Sequence, residues 1–131
     1  MAIKVEIRNL EKLTSLASRY PKISQKYIDE AIVRSIGTIA RETKPNVPVK
    51  TGRLVNSMVP IFRPFKGVLP FPVKYANRVH NMYPAGTPYK RPSLNKSAKA
   101  GFLTLGVSAS DGAIQDAFDS ALDKIVGELA R

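Results

Sequence analysis

The chain has 131 residues, which suits one domain with a core of its own, and it has no cysteine, which excludes disulfides and thiolate metal sites. Its formal net charge is +11, and that charge is unevenly placed. Residues 1–40 hold seven Lys/Arg and four acids, residues 41–99 hold twelve Lys/Arg and one acid (Glu42), and residues 100–131 hold two Lys/Arg and five acids.

A basic middle between ends of lower charge points to contact with nucleic acid or with an acidic protein surface. The same middle holds nine of the ten prolines. The N-terminus lacks a charged-then-apolar signal pattern, and no apolar run approaches the ~18 residues of a membrane span. A soluble chain, made inside the cell, is expected.

Ile3, Val5 and Ile7 alternate with Lys4, Glu6 and Arg8, so residues 2–8 read as a half-buried strand. Asn9 suits an N-cap. Leu10, Leu13, Leu16 and Ala17 recur at helical spacing and predict a short helix over 10–19, ended by Tyr20-Pro21. Pro21 fits the first turn of a second helix, predicted to run to about Thr43. Its apolar face is read as Ile23, Tyr27, Ala31, Ile32, Ser35, Ile36, Ile39 and Ala40, and Lys22, Lys26, Asp29, Arg34 and Arg41 lie opposite. Gly37 weakens this helix, and a close packing contact would be a reason for it. Pro45 ends it.

The stretch Val47 to Met58 then changes the direction of the chain. Pro48 biases Val47 away from helix. Thr51 can cap a short helical turn, Gly52 permits angles or approaches that a Cβ blocks, and Leu54 and Met58 would share one face of that turn. Val55–Phe65 and Val68–His80 read as extended and rich in β-formers, with Lys66-Gly67 as the turn between them. Pro60, Pro64, Pro70 and Pro72 restrict these runs to edge strands or a bent hairpin. Tyr75–His80 fits a helical turn equally well.

Residues 81–101 read as a long basic loop, of a kind often functional or mobile. Phe102, Leu103, Leu105 and Val107 suggest a short strand or a wall of the core. Ser110-Asp111-Gly112 signals the start of a C-terminal helix over about 112–130. Its apolar face is Ile114, Ala117, Phe118, Ala121, Leu122, Ile125 and Leu129, with Asp116 and Asp119 toward its N-terminal end. The fold expected is one α+β domain over 1–131. A long helix in the N-terminal half and a C-terminal helix pack on a small, mostly antiparallel, proline-interrupted sheet.

Catalytic chemistry finds little to work with. His80 is the single histidine, and the only carboxylate in residues 41–99 is Glu42. The remaining acids show no spacing for a paired acid–base site or a metal cage, and no phosphate-cradling glycine loop is present. Lys50-Thr51-Gly52 and Ser93-Leu94-Asn95-Lys96 are fragments of the penicillin-binding signature, but they stand in the wrong order in a chain too short for that fold. The sequence therefore predicts no enzyme, no cofactor and no metal. Phe62, Phe65, Phe71, Tyr75, Tyr83 and Tyr89, interleaved with basic residues, suit stacking on bases or anchoring an interface.

Val47-Pro48-Val49-Lys50-Thr51-Gly52-Arg53-Leu54, followed by Ser57-Met58, resembles the P-V-[DK]-T-G-x-L-x-x-S-[IM] motif of a tailed-phage family, the gene-product-ten-like tail-component, tail-completion or neck proteins. Val73-Lys74-Tyr75-Ala76-Asn77-Arg78-Val79-His80 resembles that family's V-x-Y-A-x-x-V-[EH]. The order of elements also agrees. The chain departs from the family where an Arg-Pro-Phe-Leu-x-Pro-Ala segment is usual, having Ala100-Gly101-Phe102-Leu103 instead.

The resemblance implies a structural virion protein, made in the host cytoplasm and placed in the neck or tail region. It would form a homo-oligomeric ring of six or twelve copies around the DNA channel, joining head to tail and contacting other neck, connector or tail proteins. Pro48, Thr51, Gly52 and Leu54 would form the structural turn. Lys50, Arg53, Arg63, Lys66, Lys74, Arg78, Lys90 and Arg91 are the candidates for contacts with DNA or neighbouring subunits. The alternative is a small basic nucleic-acid-binding protein acting outside a particle.

Overall fold

The computed structural model describes residues 7–47, 59–70, 80–81, 85–88 and 98–131. Three helices carry the architecture of the described residues. α1 spans Leu10–Arg19, α2 spans Pro21–Thr43, and α3 spans Phe102–Leu129. Two short strands, β1 (Ile61–Arg63) and β2 (Lys66–Val68), form an antiparallel hairpin with Ile61 opposite Val68 and Arg63 opposite Lys66. The fold is α+β, with long helices packed on a small antiparallel sheet.

α1 and α2 run as the spacing predicts. Pro21 occupies the first turn of α2, where its missing N–H costs nothing. Asn9 precedes α1 but does not cap it with its side chain. Its backbone is left-handed (φ 60°), and its carbonyl accepts from the Leu13 N–H at 3.1 Å. Leu10, expected on the apolar face, is exposed, and Leu13 alone in α1 is fully buried. The expected strand over 2–8 falls mostly outside the described residues. Ile7 is in no strand, and Arg8 and Asn9 form a turn.

α3 corrects the sequence reading most. Phe102, Leu103, Leu105 and Val107 belong to this helix and not to a strand, although Phe102, Leu103 and Val107 do line the core as the other expectation had it, so the helix starts ten residues before Gly112. Gly101, at φ 65°, turns the chain into it. Asp116 and Asp119 consequently lie mid-helix, away from its N-terminal dipole. Asp119 pairs instead with Arg8 at 3.3 Å, and the Arg8 N–H donates to Gln115 Oε1 at 2.9 Å. These contacts tie the chain before α1 onto α3.

α2 and α3 pack through a seam of small side chains. The buried positions of α2 are Ser24, Ile28, Ala31, Ser35, Ile39 and Thr43, a face rotated from the one the apolar residues suggested. Facing residues of α3 include Gly106, Ser110, Ala117 and Ala121. Small residues let two helices approach closely, at the expense of side-chain volume. Gly106 marks the tightest point, because a Cβ there would collide with the side chain of Thr43 and stand 3.0 Å from its Cα. Gly37, by contrast, faces open space, so the close contact expected of it is absent.

Larger side chains fill both ends of the seam. Ile39, Val47, Phe102, Leu103 and Ile114 cluster at one end, and Leu13, Ile28 and Ile125 at the other. Each fully buried side chain of this size stabilises the fold by about 1.5–3 kcal/mol. Tyr27 donates to Glu128 Oε2 at 2.5 Å, and this bond raises the phenol pKa.

α2 ends in a short 3-10 turn, Lys44–Asn46, that includes Pro45. Val47 follows with φ −77° and ψ 128°, the extended geometry that a following proline demands. It is completely buried. The base of the 81–101 loop is stitched shut. Gly86 N–H donates to Ala100 O at 3.0 Å, Ala100 N–H to Thr87 O at 2.9 Å, and Lys99 N–H to Asn46 O at 2.9 Å.

Candidate interaction surface

The hairpin lies on α2 and presents an apolar, basic surface. The expected turn at Lys66-Gly67 is displaced two residues toward the N-terminus, to Pro64-Phe65, and Lys66 and Gly67 belong to β2. The reason is local. Pro64 presets a turn backbone, and Phe65 takes a left-handed conformation at φ 57° that is uncommon for a bulky residue. The Phe65 N–H donates to Asp29 Oδ1 at 2.8 Å, which anchors the turn to α2. Gly67 is used for close approach: a Cβ there would stand 2.5 Å from Ile32 Cγ2 and 3.0 Å from Ile36 Cγ1.

This seating leaves much of the hairpin uncovered. Val59 is 61% exposed, Ile61 48%, Phe62 43% and Phe65 41%, and neighbouring Val33 on α2 is 47% exposed. A notch of about 270 Å³ opens between Phe62, Arg63, Pro64 and Lys66 of the hairpin and Asp29 and Val33 of α2. Arg63 and Lys66 are cross-strand partners at the exposed turn. Like charges directly opposite in an antiparallel pair repel. Neither makes an ion pair among the described residues, and both are exposed.

Of the residues singled out by sequence, the structure thus brings Arg63 and Lys66 together. Lys50, Arg53, Lys74, Arg78, Lys90 and Arg91 lie outside the described residues, as do Pro48, Thr51, Gly52 and Leu54 of the turn motif.

His80 is 6% exposed and occupies a capping position. Its Nε2 lies 3.4 Å from both the backbone nitrogen and the hydroxyl of Thr104, in the first turn of α3. Its Nδ1 is 3.2 Å from Asn81 Oδ1. The ring packs edge-on against Phe102, with centroids 5.0 Å apart. The His80 carbonyl accepts from the Gly101 N–H at 2.7 Å. A neutral ring protonated on Nδ1 satisfies the whole arrangement, donating to Asn81 and accepting from the helix N-terminus. Burial pushes its pKa below the ordinary histidine value, although the Asn81 bond works in the other direction. The imidazole thus joins the segment before the loop to the start of α3.

Sequence reasoning missed a second surface. A groove of about 400 Å³ runs between α1 and α3, floored by Leu16, Leu122 and Val126 and edged by Glu11, Lys12 and Ser15. Residue spacing could not reveal it, because only the packing of α1 shows that part of α3 around Leu122 and Val126 is left uncovered. No helix among the described residues is long and apolar enough to cross a membrane. Comparison with protein-family models, with curated proteins and with solved structures finds no match to this chain.

Proposed function

We propose that this chain is a structural assembly protein of the neck or tail-completion region of a tailed phage. On this reading it forms a ring of six or twelve copies that joins head and tail around the DNA channel, and it resides in the virion. The observation that carries the reading is the hairpin: aromatic and aliphatic side chains stand exposed beside two cations, on a support anchored by Asp29 and by the approach of Gly67 to Ile32. Large exposed apolar side chains next to arginine are the composition of a protein–protein contact. The Thr-Gly-x-Leu and Tyr-Ala-x-x-Val motifs supply the family context.

Electron microscopy of the purified protein, alone and mixed with tail-less heads, tests the reading. Closed rings that dock on the particle are expected. A protein that stays monomeric at every concentration and binds no particle refutes it.

The basic middle also supports a second reading, a small nucleic-acid-binding protein acting outside a particle. That reading requires tight duplex binding whose affinity falls by roughly one log unit per log of salt for each phosphate neutralised. The assembly reading expects weak binding by the isolated subunit.

A further inference from the structure

Resting on the reading of the chain as a ring subunit, we infer that the hairpin of one copy seats in the α1/α3 groove of the next copy.

The two surfaces are opposite in character and share no residue. The knob is the outward face of the hairpin, where the cross-strand partners Ile61 and Val68 stand exposed on the side that Arg63 and Lys66 share, with exposed Phe65 at the turn. The hollow is the groove floored by Leu16, Leu122 and Val126, the last 52% exposed. Glu11 and Lys12 edge this groove and offset each other, while Asp119, paired with Arg8, and Asp123 lie on the adjoining turns of α3. α3 as a whole holds five acids (Asp111, Asp116, Asp119, Asp123 and Glu128) against one lysine, Lys124. Asp123 makes no ion pair among the described residues. Arg63 and Lys66 on the hairpin and Asp123 beside the groove thus make no ion pair among the described residues, and an apolar patch accompanies each.

The same chemistry decides the symmetry. A two-fold contact through the hairpin would set Arg63 and Lys66 against their own images, and one through α3 would oppose its carboxylates. Both arrangements repel. A contact between different surfaces joins unlike charges and leaves one hairpin and one groove free at the ends of every oligomer. It therefore propagates, closing into a ring where the rotation allows and otherwise continuing as a filament. The groove also gives the acidic, partly apolar face of α3 a role that nucleic acid cannot fill, since that face repels phosphate.

The test uses the whole chain in two variants that each disable one surface. Ile61→Asp spoils the knob and Val126→Lys spoils the hollow, both at exposed positions. Each variant alone should sediment as a monomer under conditions where the natural sequence assembles. Mixed in equal amounts, they should form a dimer and nothing larger, because only one good hairpin and one good groove remain to meet. Continued assembly by either variant alone, or a mixture that stays monomeric, overturns the inference.

A second pair guards against misfolding of the first. Lys66→Glu and Asp123→Lys should each weaken assembly, and the two together in one chain should restore it. Failure of the double variant to recover also counts against the pairing. The outcomes separate the two levels of argument. Rings that persist in all variants leave the ring reading standing and remove this interface. Open filaments that obey the variant pattern keep the interface and remove the ring.

Discussion

His80 shows what one residue can do without reacting with anything. Its Nε2 accepts from the Thr104 N–H at the N-terminus of α3, one of the first-turn groups for which a helix supplies no acceptor of its own. A second proton would remove that acceptor and place a cation at the positive end of the helix dipole. In the unfolded chain the ring takes up a proton near its ordinary pKa of about 6.5, whereas burial lowers the value in the folded protein. Between the two values the unfolded state binds more protons, so stability falls as pH drops below about 6.5. Thermal melts at a series of pH values should show this decline. His80→Gln, which keeps an acceptor and does not titrate, should flatten it.

The buried hydroxyls of Ser24, Ser35 and Thr43 find no hydrogen-bond partner among the described residues. A desolvated, unpaired hydroxyl is unfavourable by about 1–3 kcal/mol. Ser35→Ala should therefore leave stability unchanged or raise it by about 1 kcal/mol in urea unfolding. Gly106→Ala should do the reverse. Its new methyl meets Thr43 within the tightest part of the seam, and overpacking of this kind lowers stability by about 1–3 kcal/mol.

Among the elements, the hairpin depends on α2 for its position. Two three-residue strands have little stability of their own, and the carboxylate of Asp29 with the close approach of Gly67 supplies the anchor. Asp29→Ala should release the turn while leaving the helical core intact. Amide hydrogen exchange at 61–68 should accelerate, and global stability should fall by no more than the loss of one exposed hydrogen bond, about 0.5–1.5 kcal/mol. α3 has the opposite character. Its N-terminal turns are buried by Ile39, Val47 and the His80 ring, so it extends through a stretch that its own residue pattern left open between strand and core wall.

Across the whole molecule, charge is separated along the chain, with the cations in the middle and the acids on α3. Inside one subunit, exposed pairs such as Arg8–Asp119 and Lys124–Glu30 contribute little. In the proposed ring the same charges would steer and orient association between copies. Assembly measured by light scattering should accordingly slow as salt is raised, because exposed charges are screened within a Debye length of about 10 Å at 0.1 M.

The sequence by itself determined the bounds of α1 and α2, the extended conformation of Val47 before Pro48, the apolar face of the C-terminal helix and the separation of charge. Each is set by neighbours a few residues away, through periodicity, proline geometry or composition. The tertiary structure alone decided the early start of α3, the move of the turn to Pro64-Phe65, the rotation of the buried face of α2 onto its small residues and the groove beside Val126. These depend on contacts between distant parts of the chain: Thr43 against Gly106, Asp29 against Phe65, Ile32 against Gly67. No local propensity contains them, because the helix that each glycine or turn must meet is a packing partner and not a sequence neighbour.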